Sequence, residues 1–476
     1  MMPKVDLAVR PGTAESVVYL VRSLKDIPAG VFTAKETSYI RQRKEKEKQE
    51  WIPFNRLGRW EMVQFIKQEE DPCQRNEWLR KAGDRLQGFL NEHKAKTVYV
   101  AGRVDPESLI SLAEGMALGC YRYLKFKTVV EEHNTLETIR LVSSGLRPAD
   151  IRKLNAVIEG VYFARDLVNE PNSSLNTRTF GSALKKMGKS CGVEVEIFNR
   201  NKLEALQMGG ILGVNQGSHE PPAMIVLEYK PGRIKNKNPL VLVGKGIMFD
   251  SGGMNLKPGD SMNDMKDDMS GGAAVAGAIF ALARAGTPAH VIGLIPATDN
   301  RPGEKAIVSG DILKMHNGKT VEVINTDAEG RLILADALSY AARYKPGLVI
   351  NLATLTGSAI RAIGKRAMAG MQSGAAVHMK SLVDSGFAVF ERIVELPLWE
   401  DYGEGLKSEV ADMKNLAGPE AGTITAGKFL EKFVSYPFIH LDIAGPAFLE
   451  KRDGYRPSGG TGAGVRLLFH FAGTKL

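Results

Sequence analysis

Apolar and polar positions alternate along this chain in a way that separates strands from helices at sight. In the first 148 residues, short apolar runs such as Ser16–Val21 and Thr97–Ala101 are spaced by helical stretches such as Asn76–His93. That pattern predicts a small α/β domain. Next, Ile151, Leu154, Val157, Ile158, Val161 and Val168 recur at helical spacing, from near Pro148 until Asn169-Glu170-Pro171 stops them. One long helix is expected there. Beyond it the reading is helix Thr177–Lys189, strand Val193–Phe198, helix near Leu203, and strands Ala223–Leu227 and Leu240–Gly244. A small-residue helix follows Gly272, then strand His290–Ile295, an apolar helix ending near Lys345-Pro346-Gly347, and strands Leu348–Leu352 and Phe438–Ile443. Several of these strands are apolar on both faces, which implies a mainly parallel sheet with helices on each side. The expected architecture is therefore a smaller N-terminal α/β domain (1–148), a linker helix (149–170), and a larger α/β domain (171–476) with a central, mainly parallel sheet.

The length of 476 residues agrees with two domains, and 43% hydrophobic with 25% charged residues is ordinary for a folded protein. The N-terminus lacks the pattern of a secretory signal and no apolar run is long enough to span a bilayer, so a cytoplasmic protein without membrane partners is expected. Cys73, Cys120 and Cys191 are scattered, odd in number and without CxxC spacing, which points away from a disulfide framework or thiolate zinc. The net charge of +9 raises nucleic acid as a partner, but the excess is spread evenly along the chain. Its densest run, Arg41–Glu50, mixes both signs as a solvated helix face does. His93 and His133 are lone histidines, read as surface residues. No phosphate-binding glycine fingerprint is present.

Candidate chemistry gathers after predicted strands, where α/β sheets place their functional groups. Asn325–Leu338 reads NTDAEGRLILADAL, setting Asp327, Glu329 and Arg331 within five residues before an apolar helix. Residues two apart point the same way only in extended chain, so the two carboxylates converge if both precede the helix. The alternative is that they cap it. After the strand PLVLVG come Lys245, Asp250, Lys257 and the cluster Asp264, Asp267 and Asp268, in turns rich in glycine. An all-oxygen set with lysines suits Mg²⁺, Mn²⁺ or carboxylate-held Zn²⁺. It also suffices for two ions about 3.5 to 4 Å apart, a hydrolase arrangement. Spacing alone leaves Asp267 and Asp268 as equal candidates. It also leaves two rivals: a metal-dependent phosphoester hydrolase, and a nucleic-acid-binding regulator suggested by the positive charge.

The stretches NTDAEGRL (Asn325–Leu332), VGKGIMFDSGGMNLKP (Val243–Pro258), DMSGGAA from Asp268 and NLATLTG from Asn351 resemble, in order and spacing, the leucyl aminopeptidases, a family of hexameric two-metal exopeptidases. The resemblance covers the chain after about Pro171; the N-terminal domain matches in architecture alone, with an oligomer-forming or regulatory role. It implies removal of N-terminal residues, preferentially Leu-like, from peptides with a free amino terminus, by a homohexamer built as a dimer of trimers. Two divalent ions are implied, Mn²⁺ or Zn²⁺ with Mg²⁺ as a further option. Lys245 as a neutral amine, Asp250, Asp268 and Glu329 would hold the tight ion, and Asp250, Asp327 and Glu329 the exchangeable one. The resemblance selects Asp268 over Asp267. Lys257 would stabilise the oxyanion, and Arg331 would hold a bicarbonate ion beside Leu355. Met265, Thr354 and Gly357 would line the side-chain pocket.

Overall fold

The computed structural model describes residues 2–129 and 134–475, so His133 lies outside the described residues. The chain forms two compact units, Met1–Ile158 with Lys451–Pro457, and Glu159–Glu450 with Ser458–Leu476.

The first unit holds a six-stranded sheet: β1 (Lys4–Ala8), β2 (Ser16–Val21), β3 (Trp51–Asn55), β4 (Trp60–Phe65), β5 (Thr97–Ala101) and β6 (Thr138–Val142), in the order β1-β6-β5-β2-β4-β3. Only the β3–β4 hairpin is antiparallel. Two helices, Pro72–Glu92 and Pro106–Gly119, begin with an Asp-Pro pair. Asp71 and Asp105 accept from Cys73 N and Ser108 N, and the proline fills a position whose N–H has no helical partner. The two helices touch where Gly83 meets Leu112; a Cβ there would lie 2.1 Å from the Leu112 carbonyl oxygen. The helix Pro148–Asn169 is present as expected, halted before Pro171.

In the second unit, β7 (Glu194–Phe198), β8 (Ala223–Tyr229), β9 (Leu240–Gly244), β10 (Gly246–Asp250), β11 (Val291–Asn300), β14 (Leu348–Ala353), β15 (Met368–Ser373), β16 (Ile393–Glu395) and β18 (Phe438–Asp442) form one mixed sheet. A separate small sheet contains β12 (Ile312–Lys314), β13 (Thr320–Glu322) and β17 (Met413–Lys414). The centre of the large sheet, β18-β14-β9-β11, is parallel, and antiparallel pairs lie towards its margins. Every residue of β9, β11 and β14 is buried, as the apolar runs predict for β9, for β14 and for β11 up to Ile295; the polar end of β11, Thr298–Asn300, is buried as well. Val241, Val243, Ile292, Leu294 and Val349 share one core with Leu332, Ile333, Leu334 and Leu338 of the helix Glu329–Ala341. The opposite face meets the helix Ser270–Ala285: at Gly293 a Cβ would lie 2.7 Å from Ile279 Cδ1 and 3.1 Å from Val275 Cγ1. At 25 cal/mol per Å² or so, each such apolar side chain contributes roughly 1.5–3 kcal/mol to keeping these layers together.

Three local differences from the sequence reading matter for the site. Gly246–Asp250 is a strand and not a turn, because β11 runs on to Asn300, past the end of its pairing with β9, and leaves an open edge: Gly246 pairs with Ala297 and Asp250 with Asn300. Glu329 is the first residue of its helix and does not precede it. The cap position belongs to Ala328 and no side chain among the described residues caps this helix, so neither Asp327 nor Glu329 is spent on that role.

Candidate active site

The chain steps off β9 at Gly244 and resumes as β10 beside β11, and Lys245 occupies the gap. Its backbone is fixed on both sides, with Lys245 N donating to Leu352 O at 3.0 Å and its carbonyl accepting from Gly272 N at 2.8 Å. The side chain, 3% exposed, sets Nζ 2.7 Å from Asp268 Oδ1, 2.9 Å from Glu329 Oε1 and 2.9 Å from the Thr354 carbonyl oxygen. Burial by itself would push this ammonium down, yet Asp268, Glu329 and Asp250 together raise it above the ordinary lysine value.

Lys257 lies in the loop that follows β10. Positive φ angles at Gly252 (88°) and Gly253 (66°) turn that loop back, so that Lys257 N donates to the Ser251 carbonyl. Its Nζ is 2.8 Å from Asp250 Oδ2 and 2.6 Å from Asp327 Oδ1. Asp250 is oriented through its other oxygen, which accepts from Gly252 N at 2.9 Å and Asn300 Nδ2 at 2.8 Å. Carboxylate oxygens of Asp250, Asp327 and Glu329 all lie within 4.8 Å of one another. Burial, reinforced by Asp250 and Glu329, pushes Asp327 up to about 6 against the pull of Lys257. Burial also raises Asp268 well above the usual carboxylate range.

The structure thus gathers Lys245, Asp250, Lys257, Asp268, Asp327 and Glu329. Of the two adjacent aspartates, Asp268 meets Lys245 and accepts the Thr354 hydroxyl at 2.9 Å, whereas Asp267 is pushed up to about 7 by burial and by Asp264. Among the described residues, Asp268 Oδ2 is buried with no hydrogen-bond partner. Glu329 Oε1 and Asp327 Oδ1 are buried too, and each has a lysine ammonium within ion-pair distance, at 2.9 and 2.6 Å. Buried acceptors without donors are costly, and a hard divalent cation is a ligand that such a set of oxygens fits.

Arg331, in the first turn of the helix that Glu329 opens, is buried; its Nη1 donates to the Asn415 carbonyl at 2.9 Å, and its Nε has no hydrogen-bond partner among the described residues. Burial pushes it down to about 10. Thr354, the residue after β14, accepts from Lys245 Nζ through its carbonyl, and Leu355 N donates to Asp442 Oδ1 at 3.2 Å. Gly357, exposed, opens the helix Gly357–Ile363, and Met265, half-buried, opens the 3₁₀ turn that carries Asp268. Asn300, Thr326, Asn415 and Asp442 escaped the sequence reading. Asn300 lies just beyond the predicted strand His290–Ile295, but nothing in the pattern marks Asn415 or Asp442.

A buried lysine–carboxylate cluster at the carboxyl ends of parallel strands defines a hydrolase of the metal-dependent kind. The sequence profile described as the cytosol aminopeptidase family, catalytic domain, matches residues 162–469. A protein of Geobacter sulfurreducens named "Probable cytosol aminopeptidase" is 46% identical over 394 residues, spanning 81% of this chain and 79% of that one. Among solved structures, a tomato leucine aminopeptidase mutant superposes with a TM-score of 0.86 at 27% identity, over 99% of this chain and 97% of that one. The bottromycin maturation enzyme BotP in complex with Mn gives 0.84 at 29% identity, over 96% and 98%. The chain belongs to the cytosol aminopeptidase family, a metal-dependent family of peptidases, and its activity is that of an aminopeptidase. Among the described residues no helix is long and apolar enough to cross a membrane.

Proposed function

We propose that this aminopeptidase removes Leu-like N-terminal residues from peptides with two divalent ions held by the cluster. The observation that carries the reading is the convergence of Asp250, Asp327 and Glu329 oxygens within 4.8 Å, flanked by Lys245 and Lys257. Lys245, once deprotonated to the neutral amine, with Asp250, Asp268 and Glu329 would hold one ion, and Asp250, Asp327 and Glu329 the other, as Mn²⁺, Zn²⁺ or Mg²⁺. When bound, such ions polarise the scissile carbonyl and lower the pKa of a water. The chain's own groups supply the remainder. Lys257, 14% exposed on its side chain and still charged, is placed to meet negative charge developing on the carbonyl oxygen. Arg331, with Nε unpartnered, offers a planar donor to a small anion such as bicarbonate near Leu355.

Met265, Thr354 and Gly357 would shape the pocket for the substrate's first side chain, where a thioether favours flexible apolar groups. A homohexamer acting in the cytoplasm, with residues 1–148 in assembly or regulation, 149–170 as linker and 171–476 as the catalytic domain, completes the reading. The relatives' printed names support the compartment.

Hydrolysis of a panel of aminoacyl p-nitroanilides under Mn²⁺, Zn²⁺ and Mg²⁺ tests it. Asp250→Asn and Glu329→Gln each remove a shared carboxylate and are expected to abolish turnover of the Leu substrate. Near-normal activity of either at saturating Mn²⁺ would overturn the site assignment. Lys257→Ala should keep its metal content while the rate falls, and loss of both metals would contradict the oxyanion role.

A further inference from the structure

Asn415 lies about ninety positions from the Asp327–Arg331 segment in sequence, yet its amide and backbone hold that segment from one side. It follows β17, which runs parallel to β13, and its own N–H continues the ladder by donating to the Glu322 carbonyl at 2.9 Å. β13 leads directly into the segment Ile324–Ala328, so the small sheet delivers Asn415 beside it. Asn415 Oδ1 accepts from Ile324 N at 2.7 Å and from Asn325 N at 3.3 Å. Nδ2 donates to the Asn325 carbonyl at 2.7 Å and, at 3.5 Å, to that of Ala328. Its backbone carbonyl accepts from Arg331 Nη1. The residue is fully buried.

We infer that Asn415 is a positioning residue for the aminopeptidase reaction, one that sets Asp327, Glu329 and Arg331 in mutual register. Among the described residues no side chain caps the helix Glu329–Ala341, so its first N–H groups have no capping side chain to fix their approach. Asn415 supplies one from a distance. It grips the chain before the helix through both amide ends and grips Arg331, on the second helical residue after Glu329, through its carbonyl. Only a primary amide offers an acceptor and two donors at this reach; a carboxylate lacks the donors, and a hydroxyl is too short to span Ile324 N and Asn325 O together. Asp327 lies between the two gripped points. Its own N–H is held locally by Asn325 Oδ1 at 2.7 Å, so displacing Asn325 displaces Asp327 with it.

The inference rests on the placement of Asp327, Glu329 and Arg331 in the active site. Its test is Asn415→Leu, matched in shape, with Asn415→Ala as the second variant should the bulkier apolar group disturb folding. Val98→Ala, in the core of the first unit, serves as a control that loses stability without touching the segment. Steady-state assays with Leu-p-nitroanilide are paired with calorimetric titration of the metal-stripped protein with Mn²⁺. Loss of an outer partner of metal-site residues typically costs about 10–100-fold in activity or metal affinity. The expected result is a fall of that size in kcat with KM within threefold or so, and a Mn²⁺ dissociation constant raised by roughly tenfold, neither of which the control reproduces. A folded Asn415 variant whose kcat and Mn²⁺ affinity stay within about twofold of the parent, or match the control, overturns the inference. If Glu329→Gln is also active, the site assignment itself has failed. If Glu329→Gln is dead and the Asn415 variants are not, only the positioning role is lost.

Discussion

Replacing Lys245 by Met separates what the site's internal charges do for the fold from what they do for catalysis. The lysine stem runs through a filled channel, where a Cβ at Gly330 would already lie 2.4 Å from Lys245 Cε. An unbranched thioether of similar length can follow that channel, so the change removes charge and leaves volume nearly untouched. Asp268 and Glu329, almost completely buried, then lose the ammonium that stands 2.7 and 2.9 Å from their oxygens. Removing one partner of a buried ion pair costs about 3–5 kcal/mol, since the remaining charge keeps its desolvation penalty. For a unit of roughly 300 residues this corresponds to a thermal midpoint lowered by about 5–8 °C. The measurement is thermal and urea unfolding of parent and variant in the presence of a chelator, so that no added cation takes the place of the ammonium. Adding Glu329→Gln to Lys245→Met should return at least ~1 kcal/mol, because one of the two stranded carboxylates is gone. A loss below ~1 kcal/mol for Lys245→Met with chelator present would refute the idea that Lys245 neutralises the empty cluster.

Gly271→Ala is expected to cost about 1–3 kcal/mol in urea unfolding and to depress activity, since overpacking against backbone has no side chain to yield. The new Cβ would lie 2.1 Å from the Leu352 carbonyl oxygen and 2.9 Å from Lys245 N, both of them backbone atoms beside the site. Unchanged stability and rate would show that the helix Ser270–Ala285 can move off the sheet freely. Asp336, buried on the helix Glu329–Ala341, accepts from Ile211 N and His316 N at 2.9 Å each, and burial outweighs those bonds to push it up to about 7. Its folded value exceeds the ordinary carboxylate value, so the native state binds the extra proton between about 4 and 7, and this group's contribution to stability is lost as pH rises through that window. Asp336→Asn should flatten the decline in urea stability from about pH 4 to 7, and an unaltered pH profile would count against a raised value.

The elements were legible because burial in this sheet is two-sided: β9, β11 and β14 carry continuous apolar runs, and a helix such as Pro148–Asn169 carries its 3.6-residue period. The charged half of the site was legible for a related reason. Lysines and aspartates among glycines after a strand have few structural explanations, so Lys245, Asp250, Lys257, Asp327 and Glu329 stood out before any geometry was available. What did not stand out is held by long-range pairing or neutral polarity. β10 is a strand only because β11 has a spare edge, a property of a partner about fifty residues downstream. Glu329 enters its helix because Ala328 takes the cap position, which no propensity favours. Asn300, Asn415 and Asp442 act through amide and carboxylate contacts whose partners lie 50, 90 and 87 positions away. A lone asparagine in MKNLAG carries no periodicity from which that could be read.

The single-residue step between β9 and β10 also sets how the gene for such a protein can change in length. One codon inserted between Gly244 and Gly246 would push β10 one residue along β11 and take Asp250 off its pairing with Asn300, while the apolar ladder on either side could still close. The product would be a folded protein with a dismantled site. Most cores tolerate volume changes poorly and surface loops tolerate length changes well; this seam reverses the expectation, lying in a core that would survive the insertion and at a position where function would not. Insertion scanning across residues 240–250, scored separately for soluble yield and for turnover, would therefore trace the seam as the interval where the two scores part.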